Sequence, residues 1–140
     1  MTILEKYPFM RVKDNSVYPW LTKDACWLDE MPDGWMTAFG EQMCEELKAA
    51  LGKYADYWII VQVKEKFGSL RIYYGWDTFD EDIEIPDEVA NKVDDIVNKY
   101  EALSERICVN CGAKATYQSV GWICPYCENC KPKGSIKMKE

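Results

Sequence analysis

Seven cysteines in a chain without a histidine are the first chemistry the sequence offers. Five lie together, as Cys108-Val109-Asn110-Cys111 and then Cys124-Pro125-Tyr126-Cys127-Glu128-Asn129-Cys130. Two Cys-x-x-Cys steps with fifteen residues between Cys111 and Cys127 have the spacing of a structural zinc site. Two intervening residues let a tight turn aim both thiolates at one ion, and two such turns complete a tetrahedral four-sulfur shell. Thiolate softness selects Zn2+ as the cofactor. Gly112 suits a turn whose amides point back at the sulfurs.

The second cluster holds one cysteine more than the shell needs. Both Cys124/Cys127 and Cys127/Cys130 have the correct step. The reading takes Cys108, Cys111, Cys127 and Cys130 as ligands, with Cys124 on the incoming strand as a substitute ligand. A disulfide framework is the alternative. An odd number of cysteines and a start without a basic segment and long apolar run count against it.

A four-sulfur shell is closed and leaves no position for an activated water. Without histidine the commonest general base is missing too. No phosphate-cradling glycine loop or G-x-S-x-G elbow occurs, and no isolated cysteine has an activating partner. The expectation is a protein that is not an enzyme.

The elements that must position this site read as α+β: a short antiparallel hairpin packed with two amphipathic helices, plus a C-terminal zinc-ribbon-like segment. Residues 1–34 form an aromatic arm, rich in X-Pro steps, expected to wrap the body. A binding surface of Trp20, Trp27 and Trp35 is the other reading of those rings. Residues 35–107 form the helix–hairpin–helix core. Met36, Phe39, Met43, Leu47, Ala50 and Leu51 recur at helical spacing, with Asp33 as N-cap and Gly52 as terminator. Tyr57 to Lys64 and Ser69 to Tyr74 read as strands around a glycine turn.

Strict alternation puts Ile59, Val61 and Val63 on one face with Leu70, Ile72 and Tyr74. Gln62, Lys64, Arg71 and Tyr73 then share the other face with Trp58 and Ile60. Pro86 opens a second helix, whose stripe runs Val89, Val93, Ile96, Val97, Tyr100, Leu103 and Ile107. Residues 108–130 are the zinc segment, and 131–140 a lysine-rich tail expected to fray.

Net charge is −7, unevenly spread. Residues 108–140 carry five lysines against two glutamates, +3, which leaves −10 on residues 1–107. A strongly acidic body is a poor non-specific ligand for nucleic acid and suits contact with a basic partner surface. Residues 77–88 hold seven carboxylates and no base, without the frame of a calcium loop. They read as a solvated loop, or else as a partner-facing patch. No apolar window reaches membrane-spanning length, so no membrane association is expected and the cytoplasm is the expected compartment.

The stretch Gln62-Val63-Lys64-Glu65-Lys66-Phe67-Gly68-Ser69-Leu70-Arg71-Ile72-Tyr73-Tyr74 resembles the signature of a family of small phage and prophage proteins. Gly34-Trp35 before a helix, Cys108/Cys111-Gly112, and Gly121-Trp122 followed by Cys127/Cys130 complete that pattern in order. The resemblance spans about residues 34–130. It implies a phage-encoded protein acting in the host bacterial cytoplasm, favours Cys127 and Cys130 over Cys124, and supplies no activity.

Three functions follow as expectations. The first is a zinc-stabilised binding protein that contacts a host protein, with inhibition of host defence as its use. The second is capture of a nucleotide or small anion by Gln62, Lys64, Lys66, Arg71 and Tyr73. The bland account of those residues pairs Arg71 with Glu65. The third, which the acidic body disfavours, is a zinc ribbon that binds nucleic acid through the lysine-rich tail.

Overall fold

The structure, a computed structural model, describes residues 1–22, 24–79 and 82–139. The chain is α+β. A capped turn of helix, α1 (Ile3–Lys6), and 3-10 turns at Pro8–Met10 and Trp27–Glu30 precede a longer helical run. That run is α2 (Asp33–Trp35), a π-turn (Met36–Gly40) and α3 (Glu41–Leu51), and it stops at Gly52 with φ +50. The hairpin β1 (Trp58–Lys66) and β2 (Ser69–Trp76) follows, then α4 (Asp87–Ser104). A separate three-stranded sheet of two-residue strands closes the chain in the order β4 (Pro125–Tyr126), β3 (Tyr117–Gln118), β5 (Ile136–Lys137). Among the described residues no helix is long and apolar enough to cross a membrane. Asp80 and Glu81 of the expected acidic loop, and Glu140 of the tail, lie outside the described residues.

One apolar cluster joins the N-terminal segment, α3, α4 and one hairpin face. Trp27 and Trp35 are fully buried in it. An aromatic surface of Trp20, Trp27 and Trp35 is therefore corrected: only Trp20 is exposed, against Tyr18. Full burial of a large apolar side chain is worth about 1.5–3 kcal/mol, so two tryptophans inside outweigh any gain from displaying them.

The face assignment of β1 is also corrected. Pairing runs Trp58 to Trp76 and Ile60 to Tyr74, then resumes at Gln62 opposite Tyr73, leaving Val61 as an extra residue. This bulge turns the near half of the strand over. Trp58 and Ile60 face the core with Val63, while Ile59 and Val61 are half-buried on the other side. Alternation fails because Trp58 has more to bury than Ile59; its ring packs between Phe9 and Tyr74 at 5.8 and 5.2 Å.

α4 covers the free edge of β2. The Leu70 N–H donates to Ser104 Oγ at 2.8 Å, and the Ile72 N–H to Glu101 Oε2 at 3.0 Å. An uncovered edge would leave those amides unpaired. This corrects the expected apolar stripe near its end. Ser104 is fully buried and Leu103 is 39% exposed, because the position facing the strand needs an acceptor rather than a methyl group. The helix ends at Ser104, short of Ile107.

Two further expectations change. The helical run starts at Asp33, with Pro32 as the capping position and no side-chain cap. The tail is hydrogen-bonded where it was expected to fray: β5 pairs with β3, and the Met138 N–H donates to Thr116 O at 2.8 Å.

Candidate metal centre

The first pair of thiols is set by a turn just after α4. Ile107 bridges Lys114, the Cys108 N–H donates to Ala113 O at 2.8 Å, and the Gly112 N–H returns to Cys108 O at 3.1 Å. Gly112 sits at φ +84, where a side chain would be strained. The second pair leaves β4 in the same manner: the Cys130 and Lys131 N–H groups both donate to Cys127 O, at 3.2 and 3.1 Å. The Val109 N–H donates to Pro125 O at 3.0 Å and locks the two turns together.

The sulfurs of Cys108, Cys111, Cys127 and Cys130 all lie within 4.8 Å of one another, and those of Cys111 and Cys127 are 3.6 Å apart. Metal–sulfur bonds of about 2.3 Å in a tetrahedron require sulfurs about 3.8 Å apart, so a small contraction completes the shell. These four cysteines are positioned to bind a metal ion. Cys124 is not among them. It is buried beside the Ser119 hydroxyl, which accepts from its N–H at 2.9 Å. Burial first, and then Glu65, push its thiol up to about 11.

Electrostatics fit a site made for a cation. Burial opposes charge on Cys108, but the amides of Cys111, Cys127 and Asn110 prevail, and its thiol falls to about 7. At Cys111 the Ala113 amide favours the thiolate. Neighbouring Cys127, Cys130 and Cys108 outweigh it and hold the thiol up at about 12. One sulfur is primed to ionise, and the next is resisted until a positive ion neutralises the group. Asn110 Nδ2 donates to Cys130 Sγ at 3.3 Å, an outer contact that would fix this ligand's orientation. Cys26 and Cys44 lie away in the body. Burial raises both thiols, that of Cys44 to about 12, so both are reluctant nucleophiles.

The site is built against the start of the helical run. The Gly34 N–H donates to Val109 O at 2.8 Å, and Trp35 Nε1 to Ile107 O at 2.9 Å. Val109 O thus satisfies a first-turn amide that Pro32, at the capping position, has no side-chain acceptor to serve. A Cβ on Gly34 would stand 2.1 Å from Cys108 O, and one on Gly112 2.7 Å from Gly34 O. The two glycine backbones touch. Sequence reasoning quoted Gly34-Trp35 without a role. The signal present was a glycine at the second position of a helix, where entropy argues against it.

Glu65 was missed as well. One of its oxygens accepts from the Gly68 N–H at 2.7 Å and the other from Trp122 Nε1 at 2.9 Å, which ties the hairpin turn to the metal segment. Its expected pairing with Arg71 is corrected: Arg71 stands opposite Lys64 and Glu65 opposite Leu70, on the other face of the hairpin, and among the described residues no ion pair joins them. The remaining predicted residues lie on the outer hairpin face. Gln62 stands opposite Tyr73 and Lys64 opposite Arg71, with Lys64 Nζ 5.8 Å from the Tyr73 ring centre. Lys66, exposed, stands at the turn end opposite Ser69.

Comparison with protein-family models, curated proteins and solved structures finds no match, so the phage-protein resemblance stands on the residues quoted for it.

Proposed function

We propose that the chain is a phage- or prophage-encoded binding protein, braced by zinc and without catalytic activity, that acts by contact with a host protein in the bacterial cytoplasm. Interference with host defence is the use such contact would serve. The observation that carries this reading is Phe67. It occupies a two-residue hairpin turn at φ +52, beside Gly68 at φ +83, where asparagine or glycine costs least. Yet it is 74% exposed, so neither packing nor backbone preference accounts for it. A strained residue with no structural return points to function.

Trp122 is 73% exposed and is tied to the same hairpin by its hydrogen bond to Glu65. Fixed, solvent-facing aromatic rings are the anchors that dominate protein contacts. Zinc supports this arrangement structurally. Four thiolates fill its shell, and the loops they fix carry Trp122 to the hairpin tip.

Pull-down from host lysate with the zinc-loaded chain should recover a stoichiometric protein, and Trp122→Ala should lose it with metal content unchanged. Recovery of no such partner refutes the reading.

A second reading has its own observation. Because Glu65 is engaged elsewhere, Lys64 and Arg71 form a cationic cross-strand pair with Tyr73 alongside. That arrangement supports capture of a nucleotide or small anion. Calorimetric titration with mono-, di- and cyclic nucleotides tests it, and absence of heat removes it.

A further inference from the structure

Between the end of α4 and β5 runs a groove whose cations neither reading above uses. Arg106, Lys114, Lys137 and Lys139 line two cavities of about 420 and 390 Å3, which adjoin through the shared Arg106, Lys137, Met138 and Lys139. Glu105 is the acidic residue among its described lining. Four cations gathered in a protein of net charge −7 repel one another. Among the described residues none of the four forms an ion pair. The groove is therefore a local positive field on an acidic molecule.

The backbone beside those cations is also unpaired. β5 is the outer strand of its sheet. The Met138 N–H donates to Thr116 O, and Lys137 lies opposite Tyr117. Antiparallel alternation then turns the N–H and C=O of Lys137 to the open side. An open strand edge accepts a further extended chain. A smaller recess, of about 90 Å3, continues the groove through Glu105, Gln118 and Met138 to Phe67 and Ile123. Ile136 is exposed at the same edge.

We propose that this groove takes an extended acidic segment of a partner protein, paired along β5. Its carboxylates would meet Arg106 and the three lysines, and an apolar side chain would enter the recess beside Phe67. The inference rests on the contact reading and locates the contact. A peptide matches all three features at once. A polynucleotide would match only the charge, and would bring many phosphates toward a body carrying −10.

The test uses the full, zinc-loaded, 15N-labelled chain and three probes: a decapeptide alternating aspartate with leucine, its lysine-for-aspartate counterpart, and single-stranded oligothymidylate. The acidic peptide should shift the amides of Lys137, Arg106 and Phe67. Its affinity should fall at least tenfold in Arg106→Glu/Lys137→Glu, with metal content and amide spectrum otherwise retained. No shift overturns the inference, as does a shift confined to the Lys64/Arg71 face, equal binding of the basic peptide, or tighter binding of the oligonucleotide in the groove.

Lysate capture separates the two claims. A host protein recovered equally by wild type and the charge-reversed variant overturns the groove and keeps the contact reading. Peptide binding in the groove with no lysate partner overturns the contact reading and keeps the groove as a site for acidic chains.

Discussion

The body and the metal segment hold their backbones by different means. The body shares a continuous buried cluster, from Tyr7 to Tyr100, that holds five tryptophan and phenylalanine rings (Phe9, Trp27, Trp35, Phe39 and Trp58). Beyond Ser104 the fully or nearly buried side chains are chiefly small: Cys108, Ala115, Cys124, Cys127 and Ser119. Strands of two residues cannot stabilise themselves, and among the described residues the buried apolar cluster draws on none of them. The body is fixed by burial, which nothing short of unfolding removes. The segment brings four sulfurs to one point, and an ion held between them would fix it and could be taken away by a chelator.

Removing the ion should be the sharpest break in that comparison. Structural zinc contributes apparent binding free energies of about 10–16 kcal/mol in small peptides. A chelator, or Cys127→Ser, should therefore abolish hydrogen-exchange protection over 108–138 while α3, α4 and the hairpin stay protected. Cys124→Ser should keep full metal stoichiometry. Global unfolding on chelation, or no change, contradicts the division.

Leu47→Ala probes the other side. Leu47 is fully buried, and the cavity should cost about 2–5 kcal/mol of thermal or denaturant stability without altering metal content. Gly34→Ala addresses the seam. A methyl 2.1 Å from Cys108 O forces backbone apart and should cost about 1–3 kcal/mol. Unlike Leu47→Ala, it should also weaken metal affinity, read by competition with a zinc indicator.

Acid should separate the regions by titration. The ligands bind as thiolates and protons compete for them, so affinity is present at high pH and lost as pH falls. With the Cys108 thiol at about 7 and that of Cys111 at about 12 in the metal-free site, the loss should steepen below neutrality. Metal content against pH, followed beside the far-ultraviolet signal of the helices, should show the metal leaving first. The smallest effect is expected at Phe67→Asn. Relief of the positive φ should raise the melting stability by about 1 kcal/mol.

The sequence carried the parts of this molecule that depend on periodicity or spacing. The stripes of α3 and the first three turns of α4, the hairpin and the Cys-x-x-Cys turns follow from local rules that neighbours do not overturn. What was illegible depended on a partner distant in the chain. Val61 bulges because Trp58 finds space against Phe9, and nothing in Tyr57 to Lys64 announces that. Ser104 replaces an apolar residue because Leu70 exposes an amide there. Glu65 reads as a turn residue until Trp122 arrives from the metal segment. The preference for Cys127 and Cys130 over Cys124 followed from turn geometry and from the resemblance. The hydrogen bond from the Cys124 N–H to Ser119, which holds Cys124 aside, lay beyond local reasoning.

The touching backbones of Gly34 and Gly112 have a thermodynamic consequence. With no side chain between them to yield, a displacement of one is felt undiminished by the other. Linkage then runs both ways. Whatever order the ion lends to the first turn of the helix, a firm helix must return as tighter retention of the ion.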